Sequence, residues 1–148
     1  MPAVRNRDFL HAVYDALTRD PPSALEGHEW RIRWSLLQIF FADPKIHYEV
    51  WVQKKHRRIE LGLHFECEHE ESYRWAAALA SRADEIMAQL GPDAELEEWT
   101  ESWTRLHEVR TFEKDLTEEL ARETAERLAR YIAVLQPVVE EERAPVRR

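Results

Sequence analysis

The densest run of possible metal ligands in this 148-residue chain is His64-Phe65-Glu66-Cys67-Glu68-His69-Glu70-Glu71. Alternate residues of an extended strand project to one side, so His64 and Glu66 share a face. A second alternating stretch, Ile46 to Val52, puts His47 and Glu49 on the polar face of a neighbouring strand. Imidazole and carboxylate together can hold a divalent transition metal. His47, Glu49, His64 and Glu66 are therefore the metal-ligand candidates of a metal-dependent hydrolase or nuclease-like domain. The competing and preferred reading is a solvated sheet face followed by an acidic helix start, where Glu70 and Glu71 suit the helix dipole.

Other chemistries find less support. A restriction-type nuclease needs an acid on one strand and an acid-x-Lys on the next, to hold magnesium and activate water. Asp43, Glu49 and Lys55 approach that pattern, but Gln53 stands where the second acid belongs and Lys55 falls at a loop. Glycine occurs only at positions 27, 62 and 91, so no glycine-rich loop can cradle a phosphate. No serine sits in a Gly-x-Ser-x-Gly elbow, and no His-Glu-x-x-His occurs. Cys67, the single cysteine, falls in the apolar row of a strand and reads as a buried small hydrophobe, without a disulfide or a cysteine-rich zinc site. No catalytic residue and no cofactor is assigned.

The net charge of −8 argues against nucleic acid, since neutralising phosphates supplies most of that affinity. The basic run Lys54-Lys55-His56-Arg57-Arg58 reads as a solvated hairpin tip. No stretch is long and apolar enough to span a membrane and the first residues hold no apolar signal core, which sets the expectation of a cytoplasmic domain.

The elements that position these residues follow from periodicity. Phe9, Val13, Ala16 and Leu17 lie at helical spacing, and Pro21-Pro22 closes that helix. Trp30, Ile32, Trp34 and Leu36 alternate with Arg31, Arg33 and Ser35, which predicts one strand from Glu29 to Phe41, although Trp30, Trp34, Leu37 and Phe41 also fit a helix. Ile46, Tyr48, Val50 and Val52, then Ile59, Leu61, Leu63, Phe65 and Cys67, form the apolar rows of an antiparallel hairpin. Matching the faces requires an even loop. A two-residue loop at Lys55-His56 sets Gln53 opposite Arg58, Trp51 opposite Glu60 and His47 opposite His64.

Glu70 to Leu90 reads as a helix striped by Trp75, Leu79, Ala83, Ile86 and Leu90, ended by Gly91-Pro92. Two short strands follow around Glu95–Trp99 and Trp103–Phe112. A last helix runs from about Thr117 to Leu135 and stops at Pro137. The resulting fold class is α+β: an antiparallel sheet of about five strands with helices packed on it, in the order helix, three strands, helix, two strands, helix. Residues 1–136 form a single domain, and 137–148 a flexible charged tail.

Trp51 interrupts the polar face, and Leu37, Ile39 and Phe41 lie opposite Trp34 and Leu36, so the first strand ends apolar on both sides. Leaving such side chains in water forgoes on the order of 1.5–3 kcal/mol each. Leu37, Ile39, Phe41 and Trp51 are therefore the candidate association surface, covered by the first helix, by a second copy of the chain or by a partner. A small-molecule pocket lined by tryptophan is a third possibility.

The element order from Asp8 to Leu135 resembles that of type III secretion chaperones and small sensory-transduction-regulator-like proteins. The chain also looks somewhat like an uncharacterised domain accompanying some restriction-endonuclease-like proteins, in which a hairpin precedes a helix ending Leu-Gly, as Leu90-Gly91 does here. The chaperone resemblance implies a dimer that binds partner polypeptide on apolar patches. The leading expectation is a non-enzymatic protein-interaction module, chaperone-like or regulatory, acting as a homodimer with a possible protein partner.

Overall fold

Alternation of apolar and polar residues builds six strands, and in a computed structural model describing residues 4–143 they join into one antiparallel sheet in the order β1-β2-β3-β4-β6-β5. The strands are β1 (Glu29–Arg33), β2 (Leu36–Phe40), β3 (Ile46–Gln53), β4 (Arg58–Phe65), β5 (Glu95–Glu98) and β6 (Thr104–Thr111). The helices are α1 (Asn6–Arg19), α2 (His69–Ala80), α3 (Ala83–Leu90) and α4 (Glu118–Arg143). This is an α+β fold of the expected element order, with one strand and one helix more. No described helix is long and apolar enough to cross a membrane.

The extra strand corrects the reading of residues 29–41 as one strand. Trp34 takes φ 53° and the chain reverses there, pairing Arg33 with Leu36 and Trp30 with Ile39. Leu37 and Ile39 are thereby turned into the core at 0% exposure, and Phe41 packs against that core. The two-sided apolar strand end that motivated an association surface at Leu37, Ile39 and Phe41 is therefore a hairpin whose apolar side is filled by the chain itself.

Tyr48, Val50, Leu61, Leu63 and Phe65 carry the covered face of β3 and β4, where they meet Phe9, Leu10, Val13 and Leu17 of α1 and the apolar stripe of α4 in one cluster. Trp75 of α2 stacks on Phe65 with rings 5.2 Å apart. The expected helix from 70 to 90 is two, because the chain turns at Ser81-Arg82. There Ser81 Oγ donates to the Ala78 carbonyl, the kind of side-chain bond that competes with a helical ladder.

Pro137 does not stop α4. A proline removes one helical donor, and burial can outweigh that loss. Val138 and Val139 are 5% and 1% exposed, and Gln136 accepts a buried bond from Tyr48 Oη at 3.0 Å. Residues 137–143 thus belong to the packed domain rather than to a tail, and 144–148 lie outside the described residues.

Glu108 is 1% exposed on the covered face. It accepts from Arg127 at 2.7 and 2.9 Å and from Tyr131 Oη at 2.9 Å, fastening β6 to α4. Burial pushes its carboxyl up, but the hydrogen bonds from Arg127 and Tyr131 and the guanidinium charge outweigh it, so the pKa falls below the ordinary value. Glu108→Ala is expected to cost about 3 kcal/mol, the low end for a broken buried pair because Arg127 keeps some water. A lowered folded-state pKa contributes stability that is present above the unfolded value of about 4.3 and lost as pH falls through the folded one. Urea midpoints between pH 6 and 3 should show the wild type losing its advantage over Glu108→Gln at the acid end.

Candidate functional site

The open face of the sheet is organised by register. Pairing across β2, β3, β4, β6 and β5 sets Phe40, His47, His64, Arg105 and Glu97 in one row. The next row holds Gln38, Glu49, Gly62, His107 and Glu95, and a third holds Leu36, Trp51, Glu60 and Val109. The expected pairs Gln53–Arg58, Trp51–Glu60 and His47–His64 are all present. The connection itself is longer than two residues, a 3-10 turn at Lys54–His56 closed by Arg57 at φ 51°.

His47, Glu49, His64 and Glu66 converge in the middle of this face. The face is far from solvated there: His47, Glu49 and His64 are 1%, 4% and 2% exposed. His47 Nε2 lies 3.1 Å from Glu49 Oε1 and 3.5 Å from Glu66 Oε2. His64 Nδ1 lies 3.2 Å from Glu66 Oε2, and its Nε2 lies 3.8 Å from Glu49 Oε2. Donors roughly 2.1 Å from a shared ion stand no more than about 4.2 Å apart. One ligand atom from each of the four residues lies within 4.8 Å of the others, so closing on one divalent ion takes a modest side-chain adjustment.

Neighbouring groups aim the donors. His47 Nδ1 donates to the Pro44 carbonyl at 2.9 Å, which fixes Nε2 as the nitrogen facing the two carboxylates. Arg31 Nε donates to Gln38 Oε1 at 2.7 Å, turning the Gln38 amide nitrogen toward Glu49 Oε1 at 3.1 Å. Burial lowers the pKa of His47, but the bond to Glu49, the charges of Glu66 and Glu49 and the Pro44 carbonyl outweigh it and raise it. Glu49 is held below its ordinary value, because His47, His64 and Gln38 outweigh the effect of burial.

A second charged group adjoins the first. Arg105 bridges Glu60 at 3.1 Å and Glu97 at 2.8 Å. The ring nitrogens of His107 lie 3.5 Å from Glu60 and 3.1 Å from Glu97 without the alignment of a hydrogen bond. His107, the Gln53 bond and the Arg105 charge hold Glu60 at about 2, against the effect of burial. The Arg105 guanidinium also stacks on Trp99 at 4.2 Å, and Trp99 meets His64 edge-on at 5.1 Å. Trp99, Arg105 and His107 were not singled out from the sequence, although Glu95, Glu97 and Trp99 alternate and so share a face.

Above the cluster opens a cleft of about 290 Å³ walled by Trp34, Trp51, Trp99 and Trp103 and floored by Gln38, Glu49 and Glu66. Trp51 is thus the one member of the proposed association surface that belongs to the open face. The nuclease pattern is not assembled: Asp43 and Lys55 flank opposite ends of β3, with roughly 25 Å of strand between them. Cys67 is buried, and burial followed by the nearby Glu71 carboxylate pushes its thiol up to about 12, which rules against a nucleophile.

A buried charge cluster carries a desolvation cost that apolar packing would avoid. In metal-free protein, Glu49→Leu should lower the urea unfolding free energy by roughly 3 kcal/mol, since it strips both imidazoles of a counter-charge. Adding His47→Leu to that variant should restore most of the loss; a double variant as unstable as the single one would contradict this account. The chain matches no protein-family model, no curated protein and no solved structure, so the reading of its site rests on geometry and chemistry.

Proposed function

We propose that this domain binds a divalent transition-metal ion through His47, Glu49, His64 and Glu66 and presents it to the tryptophan-walled cleft. The observation that carries the reading is the convergence of two imidazoles and two carboxylates, three of them buried, with ligand atoms within 4.8 Å of one another and the His47 and Glu49 donors oriented from behind. A mixed nitrogen and oxygen donor set favours zinc, manganese, iron, cobalt or nickel over calcium and magnesium, which prefer oxygen alone. Two carboxylates balance the charge of such an ion, so the imidazoles bind as neutral ligands. Glu66, the most open of the four at 21% side-chain exposure, lies on the path of entry from the cleft. Positions left free on a six-coordinate ion would face the cleft, where a ligand can be held or a carbonyl polarised. A cytoplasmic setting, with Cys67 a free thiol, accords with this role.

Association with a protein partner or a second copy is the other reading, and it now draws on the exposed indoles. Trp34 is 78% exposed and Trp103 37%. Light scattering across a hundredfold concentration range tests it, and a strict monomer removes the homodimer.

Equilibrium dialysis of metal-stripped protein against zinc, manganese and cobalt, read by elemental analysis, should give one ion per chain. His64→Ala combined with Glu66→Ala should abolish uptake, while Gln38→Ala, which only orients Glu49, should weaken it roughly tenfold or more. Uptake that survives the double substitution, or none by the wild type, removes the proposal.

A further inference from the structure

The cleft holds more apolar surface than a metal site needs. Four indoles surround the floor, and only some of that area packs internally: Trp99 lies against His64, Arg105 and Trp103, whereas Trp34 is largely open to water and Trp103 in part. Trp34 is the least expected of them. A bulky residue at φ 53° is a backbone outlier, and here it holds an indole that is 78% exposed. Such a conformation is strained for a bulky side chain, and glycine or asparagine would occupy the turn more cheaply. Within the fold its only aromatic or cationic partner among the described residues is the neighbouring Arg33 guanidinium, 5.8 Å from the ring centroid, and its position is the mouth of the cleft.

Charge narrows the occupant. Glu49 and Glu66 form the floor, and Glu60 and Glu97 lie in the adjoining network, their charge already shared with Arg105. A dianion such as a phosphate monoester would enter against this field. With a divalent ion in place the floor is neutral, and a six-coordinate ion with four protein donors keeps two positions for a chelating ligand. A cleft of about 290 Å³ has room for a single ring. Indole faces favour flat π-systems, in offset or edge-on contact at roughly 4.5–7 Å between centroids.

On this basis, and resting on the metal reading above, we infer that the cleft takes a flat aromatic ligand carrying two adjacent oxygen donors, neutral or singly charged. The oxygens chelate the ion held by His47, Glu49, His64 and Glu66, and the ring lies between Trp34, Trp51 and Trp103.

Isothermal titration of cobalt-loaded protein with benzohydroxamic acid and with acetohydroxamic acid separates the ring from the chelating head. Benzohydroxamate should bind about tenfold or more tightly than acetohydroxamate, reflecting one or two aromatic contacts. Trp34→Ala, a change at an exposed turn, should remove most of that difference while leaving cobalt uptake and acetohydroxamate affinity as they were. Inorganic phosphate at the same concentrations should give no binding. Equal affinity for the two hydroxamates, a preference that persists in Trp34→Ala, or tighter binding of phosphate would each overturn the aromatic-chelator assignment while the metal site stands. Failure of the wild type to take up cobalt at all removes the metal reading and this inference together.

Discussion

Carboxylates that leave water must gain positive charge or a proton, and this requirement sorts the open face of the sheet into two unlike halves. Glu60 and Glu97 share the guanidinium of Arg105, a charge that does not titrate in the range where proteins work, with the His107 ring beside them. Glu49 and Glu66 pair, among the described residues, with His47 and His64 instead. His47 Nε2 faces Glu49 and Glu66 together, so on a neutral ring it presents a lone pair between two carboxylates. A proton and a metal ion are interchangeable occupants of that position, and metal binding releases the proton. An arginine there would secure the carboxylates without depending on a proton, and the use of imidazole instead is what supports the metal-binding reading proposed above.

The same face depends on how closely β6 approaches β4. A Cβ at Gly62 would lie 2.2 Å from the Leu106 carbonyl oxygen and 2.5 Å from the His107 Cα, a space only glycine can occupy. Gly62 also leaves its row without a side chain between Glu49 and His107, so the two charged groups stand side by side without an intervening wall. The register that pairs Gly62 with His107 simultaneously pairs His64 with Arg105. Arg105 can then carry Trp99 across to the edge of His64, which seals the cluster from the β5 side. Backbone approach, charge pairing and aromatic cover are consequences of one strand alignment.

Much of this was legible because a strand's period of two leaves few choices. The alternation from Ile46 to Val52 and from Ile59 to Cys67 admits one family of registers, and the one that sets His47 opposite His64 is observed. Four metal-ligand candidates could be named from that pairing alone. Their burial could not be, because the cover comes from Trp99, a residue more than thirty positions on and beyond two helices. Residues 29–41 misled for a different reason: a turn built on Trp34 offers no glycine, asparagine or proline to mark it, and alternation runs on through it. Pro137 misled in the opposite sense. A proline is a reliable stop only where nothing beyond it has a reason to stay helical, and Val138 and Val139 have one.

Sequences selected for stability alone agree at every level, with local preference, packing and electrostatics favouring the same structure. Two of the places where this one disagrees with itself coincide. Glu49, His47 and His64 are charged or chargeable groups where an antiparallel sheet under a tryptophan could hold valine or threonine, and Trp34 is a strained indole left in water. Either alone would be an oddity of local history. Together they lie beneath and at the rim of one cleft whose floor carries Glu49 and Glu66, so the costs of desolvation, strain and exposure gather on a few strand positions. The occupant inferred above, a metal ion bearing a flat organic group, would neutralise that floor and cover that rim, relieving the costs of desolvation and exposure together.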